Sequence, residues 1–178
     1  MKPNTVRRVD GNDRDAGQTS PDIPAIAGLM SGAIILTLDG ELPVEFLTSG
    51  DRIIARDSGT AIVETVREDI FEIDVVRLSA GSLGRNRPER DVILTAQQPI
   101  LIRDWRARAL FDRDQALVPV QALVDGDYVT DLGKQQVRLF QIRCAAPHVF
   151  YADGLELGTA DTIALHHSKV SNDEGAGA

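Results

Sequence analysis

Few residues in this chain are of a type that does chemistry unaided, and they are scattered. There is one cysteine, Cys144, and three histidines, His148 and the adjacent pair His166-His167. A single thiol permits no intrachain disulfide and no multi-cysteine zinc site. Cys144 ends an apolar run and is expected as a small core residue rather than a reactive thiol. His166-His167 with Asp161 offer metal-ligating atoms, but adjacent histidines beside a polar tail suit one ion poorly, so no metal is expected. Arg85, Arg87 and Arg90 crowd one stretch and suit a carboxylate or phosphate. Glu89 and Asp91 stand ready to pair with them, and a solvated loop is the expectation. The only tryptophan, Trp105, is flanked by charge; it is expected to cover the edge of a small core rather than to stack on a ligand. No phosphate-loop, zinc-protease or nucleophile-elbow pattern occurs, and no cofactor is expected.

The elements that must position such residues centre on Gly32 to Gly59. Ala33 to Leu38 is apolar with a β-branched pair, Ile34-Ile35, and predicts a strand. Asp39-Gly40 supplies a tight turn. Pro43 to Leu47 reads as one helical turn, with Pro presetting φ and Val44 and Leu47 sharing a face. Ser49-Gly50-Asp51 ends it, Arg52 to Arg56 runs on as a strand, and Asp57-Ser58-Gly59 turns again. Shifted by 76 residues, Pro43, Val44, Leu47, Gly50 and Asp51 fall on Pro119, Val120, Leu123, Gly126 and Asp127, Glu45 falls on Gln121, and Ile53 on Val129. The pattern P-V-[EQ]-x-L-x-x-G-D-x-[IV] thus occurs twice, and predicts two half-domains related by a pseudo-two-fold.

The remaining segments read mostly as short strands. Ala61 to Arg67 and Phe71 to Leu78 are taken as two strands, and Gly81 to Arg90 as a loop. Asp91 to Ile102 is strand, tight bend at Gln97-Gln98-Pro99, strand, because Pro99 lacks an amide donor and biases Gln98 to extended geometry. Asp112-Arg113-Asp114 is a charged loop, Asp131-Leu132-Gly133 a turn, and Gln136 to Arg143 a strand. His148 to Tyr151 is another strand, turned by Asp153-Gly154, and one helical turn is expected between Ala160 and His167. Short strands, regular turns and little helical periodicity predict an all-β class.

The run T-x-x-G-x-x-P-V-E-x-L-x-x-G-D-x-[IV], from Thr37 to Ile53, resembles the opening of the hedgehog/intein (Hint) family, above all its bacterial branch. Val76 to Gly84, Pro88 to Asp91, Ala116 to Pro119 and Tyr151 to Gly154 continue the resemblance, which covers residues 28–158. It implies an all-β Hint-like fold of two pseudo-two-fold related half-domains with short helical turns. The family's chemistry is self-processing: a cysteine attacks the carbonyl just before it, and the histidine of a T-x-x-H motif protonates the leaving nitrogen.

The family's cysteine stands four residues before Gly32, which is Gly28 here. The T-x-x-H position is Thr95-Ala96-Gln97-Gln98, with Gln98 in place of histidine; an amide donates hydrogen bonds but delivers no proton at neutral pH. The family's His-Glu before the last strand falls on Pro147-His148, displacing the imidazole by one residue and, on a strand, to the opposite face. The resemblance thus implies a Hint domain that has lost self-cleavage and persists as a binding or structural module, with the cleft near Gly28, Thr95, Gln98 and His148 as its natural site. The alternative is an active autoprocessing domain with Ser31 as nucleophile, although no base for Ser31 lies within sequence reach.

At 178 residues with 43% apolar content, one domain is expected, with Val, Ile and Leu filling a core that 4% aromatics cannot. The net charge of -8 argues against nucleic acid and leaves a protein or peptide partner of unknown identity. Residues 1–24 are polar and read as a disordered arm, in which Arg7-Arg8 form a solvated pair. Residues 25–167 form the domain, and 168–178 a disordered tail. No secretory-type or membrane-spanning apolar run occurs, so a cytoplasmic location is expected, with export by another signal left open.

Overall fold

Two long antiparallel strands dominate the computed structural model, which describes residues 26–161. The arm, the tail, Arg7-Arg8, His166-His167 and the helical turn expected up to His167 lie outside the described residues, wholly or in their greater part. In chain order the strands are β1 (Leu29–Met30), β2 (Ile34–Thr37), β3 (Gly40–Pro43), β4 (Arg52–Ala55), β5 (Gly59–Leu78), β6 (Val92–Thr95), β7 (Pro99–Ile102), β8 (Ala116–Pro119), β9 (Val129–Cys144), β10 (Val149–Ala152) and β11 (Leu155–Gly158). They are joined by 3₁₀ turns at Val44–Phe46 and Val120–Leu123 and by one helix, α1 (Trp105–Phe111). Hydrogen bonding follows the order β1-β9-β5-β4-β2-β10-β11-β7-β8, with β3 on β2 and β6 on β5. The all-β expectation holds.

The two expected strands at 61–67 and 71–78 are one. β5 runs 20 residues without a break, because β9 supplies ladder partners straight through Glu68↔Phe140 and Asp69↔Leu139. Its charged middle is solvent-exposed on both faces, so Arg67-Glu68-Asp69 carry no desolvation cost, and Arg138 pairs with Glu68 at 2.5 Å. Asp131-Leu132-Gly133 is likewise a bulge within β9 rather than a turn between strands. Val76 pairs with Asp131 and Val75 with Gly133, leaving Leu132 as the extra residue.

The duplication is visible in backbone geometry. Pro43 has φ −60° and ψ 140°, and Pro119 has φ −63° and ψ 138°. Val44 N–H donates to Ala33 O at 2.9 Å, and Val120 N–H to Gln98 O at 3.0 Å. Val44 and Leu47, and their counterparts Val120 and Leu123, are all buried. β2 and β3 are joined by a two-residue turn, Leu38-Asp39, ahead of Gly40 at φ +112°. Their counterparts β7 and β8 are separated by α1, to which the sequence reading assigned no element, and by the charged loop Asp112-Arg113-Asp114. The β10–β11 hairpin closes the pair, with Ala152 on Ile35 of β2 and Leu157 on Ile100 of β7.

Asp104 caps α1 by accepting from Arg106 N–H at 2.9 Å, and Ala107 is the residue the helix buries. Trp105 sits at the first helical position with 70% of its surface exposed, so it does not cover the core as expected; the Arg106 guanidinium lies 5.3 Å from its ring centre.

Gly50 and Gly126 close the two repeated turns at φ +97° and +86°, with nothing within 4 Å of a Cβ built at either. Gly50→Ala and Gly126→Ala should therefore each cost about 1–2 kcal/mol from backbone strain alone, read as parallel losses in urea unfolding; a cost at one position only would deny the equivalence of the halves.

Candidate functional site

The segment Ile26 to Gly28 enters the domain just before β1 and is gripped at three points, two of them on the Ala27–Gly28 peptide bond itself. Thr95, at the end of β6, donates its Oγ1 to Ile26 O at 2.9 Å. Gln141, on β9, donates Nε2 to Ala27 O at 3.2 Å. Gly28 N–H donates to Gln98 Oε1 at 3.0 Å. Gln98 stands in the bend between β6 and β7, where its own N–H bonds Thr95 O at 2.9 Å. Its side chain is fully buried, and Nε2 donates to Pro99 O at 3.1 Å and Gly158 O at 2.9 Å. Two carbonyls on one side and an N–H on the other leave the amide a single orientation.

That orientation decides the chemistry. A group that assists amide cleavage must offer a proton toward the leaving nitrogen; Gln98 instead accepts from that nitrogen's hydrogen. Gln141 does point a donor at the Ala27 carbonyl oxygen, the geometry that stabilises a developing oxyanion. The sequence reading missed Gln141, whose only signal was an amide between the apolar Phe140 and Ile142.

Among the described residues no nucleophile stands at the carbonyl. A Cβ built on Gly28 would lie 2.8 Å from both Leu139 Cγ and Phe140 O, so the backbone of β1 approaches β9 too closely for any side chain there. The space beside Gly28 and Gln98 holds only about 10 Å³, barely room for one water. The cleft expected here is filled.

Thr95, Gln98 and Gly28 are thus brought together, and the other candidates are not. The His148 imidazole turns to the β4–β5 turn, with Nδ1 2.8 Å from Asp57 Oδ2 and 3.3 Å from Ser58 Oγ. Its backbone N–H bonds Thr159 Oγ1 at 3.1 Å. Ser31 lies past β1 on the surface, its Oγ 2.5 Å from Glu45 Oε1, which also takes Gly32 N–H at 2.6 Å. A base does therefore reach Ser31, contrary to the sequence reading. The hydrogen bond from Ser31 holds the Glu45 carboxyl below its ordinary range, which makes it a weak base. Cys144 is buried at the end of β9, and burial pushes its thiol up to about 11, so it is protonated at neutral pH. Among the described residues no three His, Cys, Asp or Glu side chains converge on a metal-sized space.

The Hint domain family matches residues 27–162. A bacterial intein-like domain from Clostridium thermocellum, solved in solution, is 15% identical with a TM-score of 0.52, over 76% of this chain and 99% of its own. The crystal structure of the gp41-1 intein is 12% identical with a TM-score of 0.51, over 74% and 98%. These likenesses show the fold. No curated protein matches the chain.

Gln98→Glu keeps shape but donates only while protonated, and burial raises that carboxyl above its ordinary range. The variant should be about 3 kcal/mol less stable than the parent at pH 7. It should recover below the unfolded-state pKa of about 4.3 and lose stability as pH rises through the higher folded value. Thermal melts across pH 3.5 to 8 read this directly.

Proposed function

The chain belongs to the Hint domain family, and on that premise we propose that it is a member without self-cleavage, serving as a binding or structural module. The observation that carries this reading is the hydrogen bond from Gly28 N–H to Gln98 Oε1. It joins the two positions where the family keeps its thiol and its proton donor. With glycine at one and an acceptor at the other, neither attack on Ala27 C nor protonation of Gly28 N has an agent. The peptide is clamped rather than strained toward reaction, and the segment before Ile26 stays joined to the domain.

The partner in this reading is a protein or peptide, not nucleic acid or a membrane. The net charge of -8 supports it, since phosphate backbones are bound by cationic surfaces. Among the described residues no helix is long and apolar enough to cross a membrane, and we place the protein in the cytoplasm. With the cleft at Gln98 filled, the surface that suits a peptide is the cleft of about 520 Å³ between the β1 turn and β6, reaching Val137 and Arg138. Among the described residues β6 pairs only with β5, and its open edge offers backbone groups to an added strand.

A second reading, autoprocessing through Ser31, draws on the contact between Ser31 Oγ and Glu45 Oε1. It has the weaker support, because a carboxyl held low accepts a proton poorly.

Intact mass separates the two. The purified full-length chain, held for days at neutral pH with and without hydroxylamine or thiol, should remain at 19.3 kDa. A fragment beginning at Gly28 would overturn the proposal, and one beginning at Ser31 that vanishes in Ser31→Ala would establish the second reading.

A further inference from the structure

The most charged buried group in the domain lies away from Gly28. Glu156, on β11, is 2% exposed and faces Tyr151 across the β10–β11 ladder. Three arginines from three segments meet on it. Arg56, after β4, reaches Oε1 at 2.8 Å. Arg103, after β7, forks onto both oxygens at 2.9 and 3.1 Å. Arg87, from the loop before β6, reaches Oε2 at 3.4 Å. Arg56 also hydrogen-bonds the Tyr151 side chain.

The electrostatics do not balance. A carboxylate has about four lone-pair sites, whereas each guanidinium carries five N–H donors. The four contacts therefore fill Glu156 and leave most of the donors over. Among the described residues no other carboxylate pairs with Arg56, Arg87 or Arg103, so three positive charges meet one negative. Arg56 and Arg103 alone satisfy both oxygens; Arg87 adds charge through the longest contact of the set. The arginine side chains are 31–38% exposed, so the surplus of two charges faces solvent, in a chain whose net charge is -8. Arg85, of the same loop, makes no such contact, and Arg90 is spent on Asp153 at 2.9 Å.

We propose that Arg56, Arg87 and Arg103, seated on Glu156, form a binding site for a phosphate-type dianion. Guanidinium forks match its oxygens in pairs, and two negative charges neutralise the surplus. Arg87 swings from its long contact onto the bound oxygens, while Arg56 and Arg103 keep Glu156 satisfied. The site stands independently of whether the Ala27–Gly28 bond is cleaved.

The test titrates the full chain, at fixed ionic strength in chloride, with inorganic phosphate and separately with O-phosphoserine, following arginine Nε–H resonances by NMR. A saturable shift of a small set of arginine signals is expected. Arg87→Gln should bind about tenfold more weakly, the loss of one charge-assisted hydrogen bond, and Arg85→Gln should bind as the parent does. Should Arg87→Gln not fold, as a melt in chloride would reveal, Arg56→Gln takes its place. Equal affinity for the two probes supports a free-ion site, and tighter binding of phosphoserine supports a ligand bearing a phosphoryl group. Non-saturating shifts with both probes, or parental affinity in the folded arginine variant, would overturn the proposal.

Discussion

One buried primary amide holds this domain's entry segment, its central bend and its last strand in a single arrangement. Gln98 accepts from Gly28 and donates to Pro99 and Gly158, while its backbone carbonyl takes the N–H that starts the second 3₁₀ turn. An unpaired polar group in such a place costs about 1–3 kcal/mol, and three groups depend on this one side chain. An imidazole has two ring nitrogens and cannot replace one acceptor and two donors together. The side chain at this position acts as a fastener, tying the entry segment to the bend and to the last strand.

Gly28 belongs to the same arrangement. The close approach of β1 to Leu139 and Phe140 and the filled space beside it are what a missing side chain permits: the strands settle until no void remains, as interiors pack. Glycine there is therefore a packing requirement. Returning a thiol to that position needs more than one substitution, because the backbone oxygen of Phe140 cannot be mutated away.

Much of this was legible in the residues. The repeated Pro-Val and Gly-Asp spacing located both 3₁₀ turns and their buried pairs, since Pro and positive-φ Gly dictate local geometry without tertiary help. The positions of Gly28, Thr95 and Gln98 came from the family resemblance, and the structure brings them together. What the residues hid was set by partners far along the chain. The charged middle of β5 reads as a break until β9 is laid against it. α1 is seven residues, about two turns, of Trp, Arg, Ala, Leu and Phe after a capping Asp104, too short for a periodicity to register. The second copy also reassigns a role: Asp51 receives Thr48 N–H at 2.7 Å, but in the later turn it is Asp125, not Asp127, that takes the backbone amides. Glu45 beside Ser31, and Glu156 beneath three arginines, join residues separated by up to 100 positions, a distance no local pattern encodes.

The way the chain enters has a mechanical meaning. Ile26, Ala27 and Gly28 are each bonded to a different element, by Thr95, Gln141 and Gln98 in turn, before Leu29 and Met30 zip onto β9. Tension drawn on anything fused upstream would meet these attachments one residue at a time, spread over the bend, the long ribbon and the closing hairpin. The entry segment is thus built as a mooring, with the load shared among three elements.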